Sequence, residues 1–261
     1  MITVVQKSGV ILWFTLCVLL AGCNKKPAID RINFQLLYNG EPVDCESNLL
    51  VGDTNWRISA LMFYISDLHY QGYVAKFDYP GDGSGRVALL GSRCEGGGVW
   101  SKALSWAQSA EDQAPPEHSL VFTLGVPFEL NHRNPLLAKA PLDDSGMFWT
   151  WQLGYKFMRL DASSQTRDQH WALHFGSLGC EAASAMRAPA QPCQRPNQIP
   201  ILIPQFDPDQ PISLHLDRIL SPAVIGQENC MGDPEDSACQ SVFNALAQTR
   251  PELAVFGQLH K

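Results

Sequence analysis

The chain has 261 residues, of which 45% are hydrophobic and 17% charged, and its formal net charge at pH 7 is −7. This balance is typical of a globular protein, and 20 Gly and 18 Pro favour many turns. The negative charge argues against nucleic acid as a partner, because binding to phosphates needs a basic patch. The sequence contains no run of Lys or Arg that could form one locally.

The N-terminus is predicted to be a lipoprotein signal peptide over residues 1–22. Lys7 precedes an apolar run at 10–20, which is too short to span a bilayer. The run ends in Leu-Ala-Gly before Cys23, a pattern that resembles the lipidation site of bacterial lipoproteins. The alternative is an ordinary signal peptide with a chance cysteine. Asn24 is not the aspartate that retains such proteins at the inner membrane. We therefore expect a lipidated tether at 23–30 and an outer-membrane anchor facing the periplasm, with the lipid as the only membrane contact.

Residues 31–261 are predicted to form one all-β domain, a disulfide-stapled β-sandwich with one or two short helices. In chain order, the patterns predict strands at 31–38, 56–70, 118–124, 148–160, 170–175 and 212–220, with short strands around a Gly/Asp-rich turn in 76–90. Helical spacing occurs at 99–110, a second short helix is predicted at 238–248, and the Pro-rich segment 189–211 is predicted to be irregular. Short strands, frequent turns and few helices are typical of a β-sandwich.

Six cysteines follow the signal peptide and its lipidated residue: Cys45, Cys94, Cys180, Cys193, Cys230 and Cys239. An even number in an exported protein predicts three disulfides, for which 15 pairings are possible. Since close neighbours are the easiest to join, we expect Cys180–Cys193 and Cys230–Cys239, which leaves Cys45–Cys94. A thiolate metal site is the alternative, but the chain has no CxxC motif to support it.

The stretch MFWTWQLGYKF, residues 147–157, is the most aromatic part of the chain. Its alternate residues are apolar, which predicts a strand with one apolar face made of Met147, Trp149, Trp151, Leu153, Tyr155 and Phe157. The simplest interpretation is that the two tryptophans fill the core. Another is that they form a stacking platform, as in a carbohydrate- or surface-binding module.

Two histidines are better candidates for metal ligands than the others. His132 lies in LNHRNP, where a predicted strand ends and a loop begins, and such loops often carry ligands. His174 lies in HWALHFG, on the strand face opposite Leu173 and Phe175, with small neighbours on its own face. The chain has no Walker loop, GxGxxG, HExxH or GxSxG motif.

Three segments together carry a resemblance to a known family. GVPFELNHRNP, PLDDSGMFWTWQLGYKFMRLD and HFGSLGC, in this order, resemble the MbnP-like proteins. The resemblance also includes LMFYISDL at 61–68 and the C-terminal cysteine pair, so it spans most of 31–256. These are exported copper-binding proteins that are often encoded beside a di-haem enzyme of the cytochrome c peroxidase and MauG type.

The resemblance implies that this partner enzyme oxidises the first tryptophan of the WxW motif, Trp149, to kynurenine. An intact indole nitrogen only donates a hydrogen bond, whereas the opened ring offers an aryl amine with a lone pair. The implied ligands of one copper ion, as Cu(I), are then His132, His174 and the kynurenine, with Met147 as a candidate soft fourth ligand.

The resemblance implies no ligand role for the other aromatic residues of the motif or for His69. Trp151 and Tyr155 would form the wall of the site, and His69 stands where the family pattern has a different residue. The implied role is to bind, store or deliver copper in copper homeostasis rather than to catalyse a reaction. An enzyme such as a copper oxidase is an alternative, but it would need an open coordination position that the sequence does not reveal.

Overall fold

The computed structural model describes residues 31–70, 73–77, 85–95, 102–110, 118–164, 166–221 and 224–259. The predicted signal peptide, the predicted lipidation site at Cys23 and the predicted tether lie outside these ranges. Within the ranges, no helix combines the length and the apolarity that a membrane crossing requires.

The described residues form mainly β-strands. The strands are β1 (Arg31–Tyr38), β2 (Glu41–Pro42), β3 (Leu49–Val51), β4 (Thr54–Tyr70), β5 (Tyr73–Phe77), β6 (Val87–Arg93), β7 (Lys102–Ala110), β8 (Leu120–Leu124), β9 (Phe148–Thr150), β10 (Gly154–Ser164), β11 (Gln169–Gly176), β12 (Ile199–Ile203), β13 (Ile212–His215) and β14 (Phe256–Gly257). The helices are α1 (Phe128–Asn131) and α2 (Ser237–Leu246), and short 3₁₀ turns lie at Pro135–Leu137 and Leu216–Arg218.

Hydrogen bonds group the strands into two layers. In one layer, β1 pairs with β2, β7 and, in parallel, β13, and β13 pairs with β14. In the other, the long strand β4 pairs with β3, β6, β8 and β10, while β11 and β9 pair with β10 and β12 pairs with β8. The two layers are joined along one side because β5 pairs with both β4 and β7.

Four phenylalanine rings pack between the two layers. Phe34 of β1 and Phe256 of β14 come from one layer, and Phe63 of β4 and Phe122 of β8 come from the other. Their rings meet edge to face, with centroids 5.5 to 6.3 Å apart. Each such pair contributes about 0.5–1.5 kcal/mol beyond the burial of its area. The sequence-based prediction of an all-β sandwich is therefore confirmed.

Several predicted elements are found close to their expected places. The strand predicted at 56–70 is β4, and the helix predicted at 238–248 is α2, which begins one residue earlier at Ser237. The structure also contains the three expected disulfides, Cys45–Cys94, Cys180–Cys193 and Cys230–Cys239. The predicted strand at 212–220 ends early, at His215, where a 3₁₀ turn begins.

Two predictions outside the site were wrong. The helical spacing at 99–110 is overridden by pairing, because β7 hydrogen-bonds with both β1 and β5. The Pro-rich segment 189–211 contains a strand, β12, in which buried and exposed residues alternate. Pro200 is tolerated there because β12, among the described strands, pairs with β8 alone and lies at an edge.

The third wrong prediction concerns the aromatic stretch, which is not one continuous strand. The strand β9 ends at Thr150, residues 151–153 form a turn, and β10 begins at Gly154 and runs antiparallel to β9. Gly154 has a φ of +80°, a conformation that favours glycine and lets the chain reverse. The alternate residues therefore do not share one buried face: Tyr155 is buried, whereas Trp151 is only half-buried.

Candidate metal centre

The short helix α1 places His132 directly after its last residue. The helix begins after Pro127, whose carbonyl accepts hydrogen bonds from the N–H groups of Leu130 and Asn131. Glu129 of the helix forms an ion pair with Arg86, which precedes β6, so the helix is attached to the sheet. The imidazole of His132 packs on the ring of Phe128, with 4.7 Å between centroids.

The turn at 151–153, called the WxW turn because it begins at the second tryptophan of the WxW motif, is held by two side-chain hydrogen bonds. Inside the turn, the N–H of Leu153 donates to the hydroxyl oxygen of Thr150, 3.0 Å away. The amide of Gln152 donates to the carbonyl oxygen of Cys180 at 2.6 Å. The turn is thus fixed against the loop that carries the Cys180–Cys193 disulfide.

His132 lies between this turn and the disulfide. Its Nε2 atom is 3.2 Å from Nδ2 of Asn131 and 3.6 Å from Sγ of Cys193. Its Nδ1 atom is buried and has no partner of hydrogen-bond geometry among the described residues. Burial lowers the pKa of His132, and the nearby backbone of Trp151 only partly offsets this. The ring is therefore neutral at neutral pH, which is the form that binds a metal.

The sulfur atoms near His132 do not act as thiolates. One ring nitrogen of His132 and the sulfur atoms of Cys180 and Cys193 lie within 4.8 Å of one another. The two sulfurs, however, are joined in a disulfide. Because the thiolate is the metal-binding form of cysteine, this trio is not a Cys₂His site in the observed state.

His174 lies on β11 and is paired with charged residues of β10. Its Nε2 atom is 2.5 Å from Oδ1 of Asp161, and Nε of Arg159 is 2.6 Å from the other carboxylate oxygen. Burial alone would raise the pKa of Asp161, but the hydrogen bonds and charges of His174 and Arg159 outweigh it, so the pKa is lowered. Asp161 therefore stays ionised and holds the His174 ring.

Trp149 and His174 lie on strands that both pair with β10. On β9, Phe148 packs against the buried ring of Tyr155, with centroids 5.5 Å apart. Alternation then directs Trp149 to the opposite, outer face of the sheet. His174 alternates with the buried Leu173 and Phe175 and so projects to the same outer face.

The remaining predicted site residues have mixed environments. Trp149 and Trp151 are half-buried, whereas Met147 is fully buried in the core. Tyr155 is also buried: its hydroxyl donates to the carbonyl of Leu142 at 2.7 Å, and burial, followed by the charge of Asp143, raises the pKa of Tyr155 to about 12. A ligand role for Met147 and a wall role for Trp151 and Tyr155 stay predictions.

Two polar residues at the site were missed by sequence reasoning. Asn131 is 1% exposed and contacts both the turn after the WxW motif and His132. Asp161 contacts His174 and Arg159. The available signals were weak: Asn131 directly precedes a candidate ligand, and Asp161 is the one acidic residue of the strand β10.

Comparison with known proteins gives one family and one solved structure. The family model described as MbnP matches residues 28–232. The structure of MbnP from Methylosinus trichosporium superimposes with a TM-score of 0.68 at 22% sequence identity, covering 88% of this chain and 98% of that chain. At this identity the structural match supports the fold alone. No curated protein matches the sequence.

Proposed function

Since the chain belongs to the MbnP family, we propose that it binds one copper ion, as Cu(I), through His132, His174 and a kynurenine made from Trp149. The observation that carries this proposal is the buried, neutral imidazole of His132 beside the turn that follows the WxW motif. A neutral imidazole binds a metal without first losing a proton, and imidazole nitrogen is a natural ligand of copper.

The donor set supports copper over harder metals. Two imidazoles and an aryl amine all bind through nitrogen. Nitrogen ligands suit copper, whereas Ca²⁺ and Mg²⁺ bind mainly oxygen ligands. The sulfur atoms near His132 are locked in a disulfide, so they do not create a thiolate zinc site. Bound copper would supply a reversible one-electron centre, while the protein residues orient the ligands and limit the access of water.

The proposal includes a partner and a location. A di-haem enzyme of the cytochrome c peroxidase and MauG type would oxidise Trp149, and lipidation at Cys23 would hold the protein at the outer membrane, facing the periplasm. In that place the protein would bind, store or deliver copper in copper homeostasis rather than act as an enzyme.

A carbohydrate- or surface-binding module remains the second candidate. Such modules stack sugars on exposed aromatic rings. Trp149 and Trp151 are half-buried rather than enclosed in the core, which is compatible with this alternative. This alternative predicts that both indoles stay intact in the native protein.

The test is the mass of the tryptic peptide from Ala140 to Lys156. Protein co-expressed with the di-haem partner should lose one carbon and gain one oxygen at Trp149 and should bind copper stoichiometrically. Protein made without the partner should keep the intact indole and bind copper weakly. Copper-loaded native protein in which both tryptophans are unmodified would rule out the kynurenine ligand.

A further inference from the structure

We propose that Asn131 is the positioning residue of the metal centre: its buried amide connects the three segments that carry His132, Trp149 and His174 and selects the tautomer of His132. This inference rests on the proposed function, because it assigns the residue that organises the same site. Asn131 itself is not proposed to bind the metal.

The orientation of the Asn131 amide is set by two backbone groups. Its Oδ1 atom accepts a hydrogen bond from the N–H of Tyr155 at 2.8 Å, and its Nδ2 atom donates to the carbonyl oxygen of Leu153 at 3.2 Å. A backbone N–H can only donate and a carbonyl can only accept, so the amide cannot be flipped without losing both bonds. The side chain is 1% exposed, so water cannot replace them.

The second hydrogen of Nδ2 decides the tautomer of His132. The acceptors within reach are Nε2 of His132 at 3.2 Å and the hydroxyl oxygen of Ser177 at 3.5 Å. The shorter contact favours Nε2, and a ring nitrogen that accepts a hydrogen bond must carry the lone pair. The ring hydrogen of His132 is therefore on Nδ1. The lone pair of Nε2 accepts from Asn131 in the metal-free protein, and it becomes available to a metal when that amide hydrogen turns to the hydroxyl oxygen of Ser177 instead.

The same amide connects three separate parts of the chain. Asn131 directly precedes His132, while Leu153 and Tyr155 lie on either side of Gly154 at the end of the WxW turn. Ser177 follows the last residue of β11, the strand that carries His174. The Asn131 side chain thus binds the segments of His132 and Trp149 directly and lies 3.5 Å from the hydroxyl oxygen of Ser177, in the segment that follows His174.

Gly154 shows how closely the turn approaches this amide. A Cβ atom at position 154 would overlap the side-chain amide of Asn131. The φ of +80° at Gly154 also disfavours any other residue. Asn131 and Gly154 therefore form a close contact that sets the position of the turn relative to α1.

The experiment compares Asn131→Asp with the matched control Asn134→Asp. Aspartate has nearly the same shape as asparagine but no N–H donor, so at position 131 it cannot donate to Leu153 or to Nε2 of His132. Asn134 is exposed, and its side-chain oxygen accepts from the N–H of Leu136 at 2.9 Å, a bond that aspartate preserves.

The first readout is the His132 tautomer in the metal-free protein, measured by ¹⁵N NMR of histidine side chains at fixed pH. We expect hydrogen on Nδ1 in the wild type and in Asn134→Asp, and on Nε2 in Asn131→Asp, where the carboxylate needs a donor. Hydrogen on Nε2 in the wild type would overturn the inference, and this measurement does not depend on whether any variant folds.

The second readout is Cu(I) affinity, measured by chelator competition on protein co-expressed with the di-haem partner. Asn131→Asp should bind about 10–100-fold more weakly, as is usual for residues that orient metal ligands, and Asn134→Asp should match the wild type. Equal binding by Asn131→Asp and the wild type would overturn this inference alone. A wild type that carries kynurenine but binds no copper would overturn the proposed function and this inference with it.

Discussion

Asp161 and His174 form a direct pair across two adjacent strands, with 2.5 Å between Oδ1 of the carboxylate and Nε2 of the imidazole. Arg159 binds the other carboxylate oxygen and keeps Asp161 in place. Because Nε2 of His174 is engaged, Nδ1 is the nitrogen left for a metal. Carboxylates commonly orient metal-binding histidines through the nitrogen that does not bind the metal.

Removing this carboxylate should weaken copper binding without removing a ligand. We expect Asp161→Ala to lower Cu(I) affinity about 10–100-fold, because the His174 ring loses its orientation. The control is Asp233→Ala, which also deletes an Asp–Arg ion pair: Oδ1 of Asp233 is 2.8 Å from a guanidinium nitrogen of Arg195. Chelator competition measures both variants, and equal affinities would argue that Asp161 does not orient a ligand.

The two proposed histidine ligands can be tested against His170, which lies on the same strand as His174. His132→Ala and His174→Ala should each reduce Cu(I) binding steeply while leaving the thermal midpoint of unfolding close to that of the wild type. His170 is exposed and occupies the same face of β11 as His174, so His170→Ala should bind copper normally. Normal binding by either of the first two variants would remove that histidine from the site.

The two tryptophans should differ in their chemistry. Trp149→Phe should yield no kynurenine and weak copper binding after co-expression with the di-haem partner. Trp151→Phe should keep both the modification and the metal, because the predicted role of the Trp151 ring is only to form a wall of the site. Peptide mass and copper stoichiometry measure the two effects, and a modification found at Trp151 in the Trp149→Phe variant would show that the partner does not discriminate between them.

A buried histidine outside the site should make stability depend on pH. Burial, followed by the positive charge of Arg218, lowers the pKa of His215, and the negative charge of Asp217 only partly offsets this. The unfolded chain therefore binds a proton at higher pH than the folded protein does. The free energy of unfolding should fall as the pH decreases below about 6.5, the ordinary pKa of histidine.

This pH effect can be measured by urea unfolding at several pH values between neutral and mildly acidic. A His215→Gln variant lacks the titrating group, so its free energy of unfolding should fall less over this range. His132, whose pKa is also lowered, is present in both proteins and cancels in the comparison. Identical slopes for the two proteins would contradict the prediction.

Much of the fold could be predicted because it is encoded in local patterns. Alternation of apolar residues identified β4, since burial on one face requires a fixed period along the chain, and the strand expected at 31–38 and the helix expected at 238–248 are β1 and α2. Cysteine spacing led to the observed disulfides for a similar reason, because close neighbours are the easiest to join. The pattern misled at 147–157, where the turn depends on Gly154 and on the distant Asn131.

The candidate site, like the fold, could be predicted from the sequence only in part. The amino-acid sequence alone identified His132, Trp149 and His174 as candidates, through residue type, position in motifs and family resemblance. Only the tertiary structure paired His174 with Asp161 and placed the Asn131 amide between Leu153 and Tyr155. The physical reason is that a local pattern specifies which residues are buried, whereas hydrogen-bond partners depend on which distant segments the folded sheet brings together.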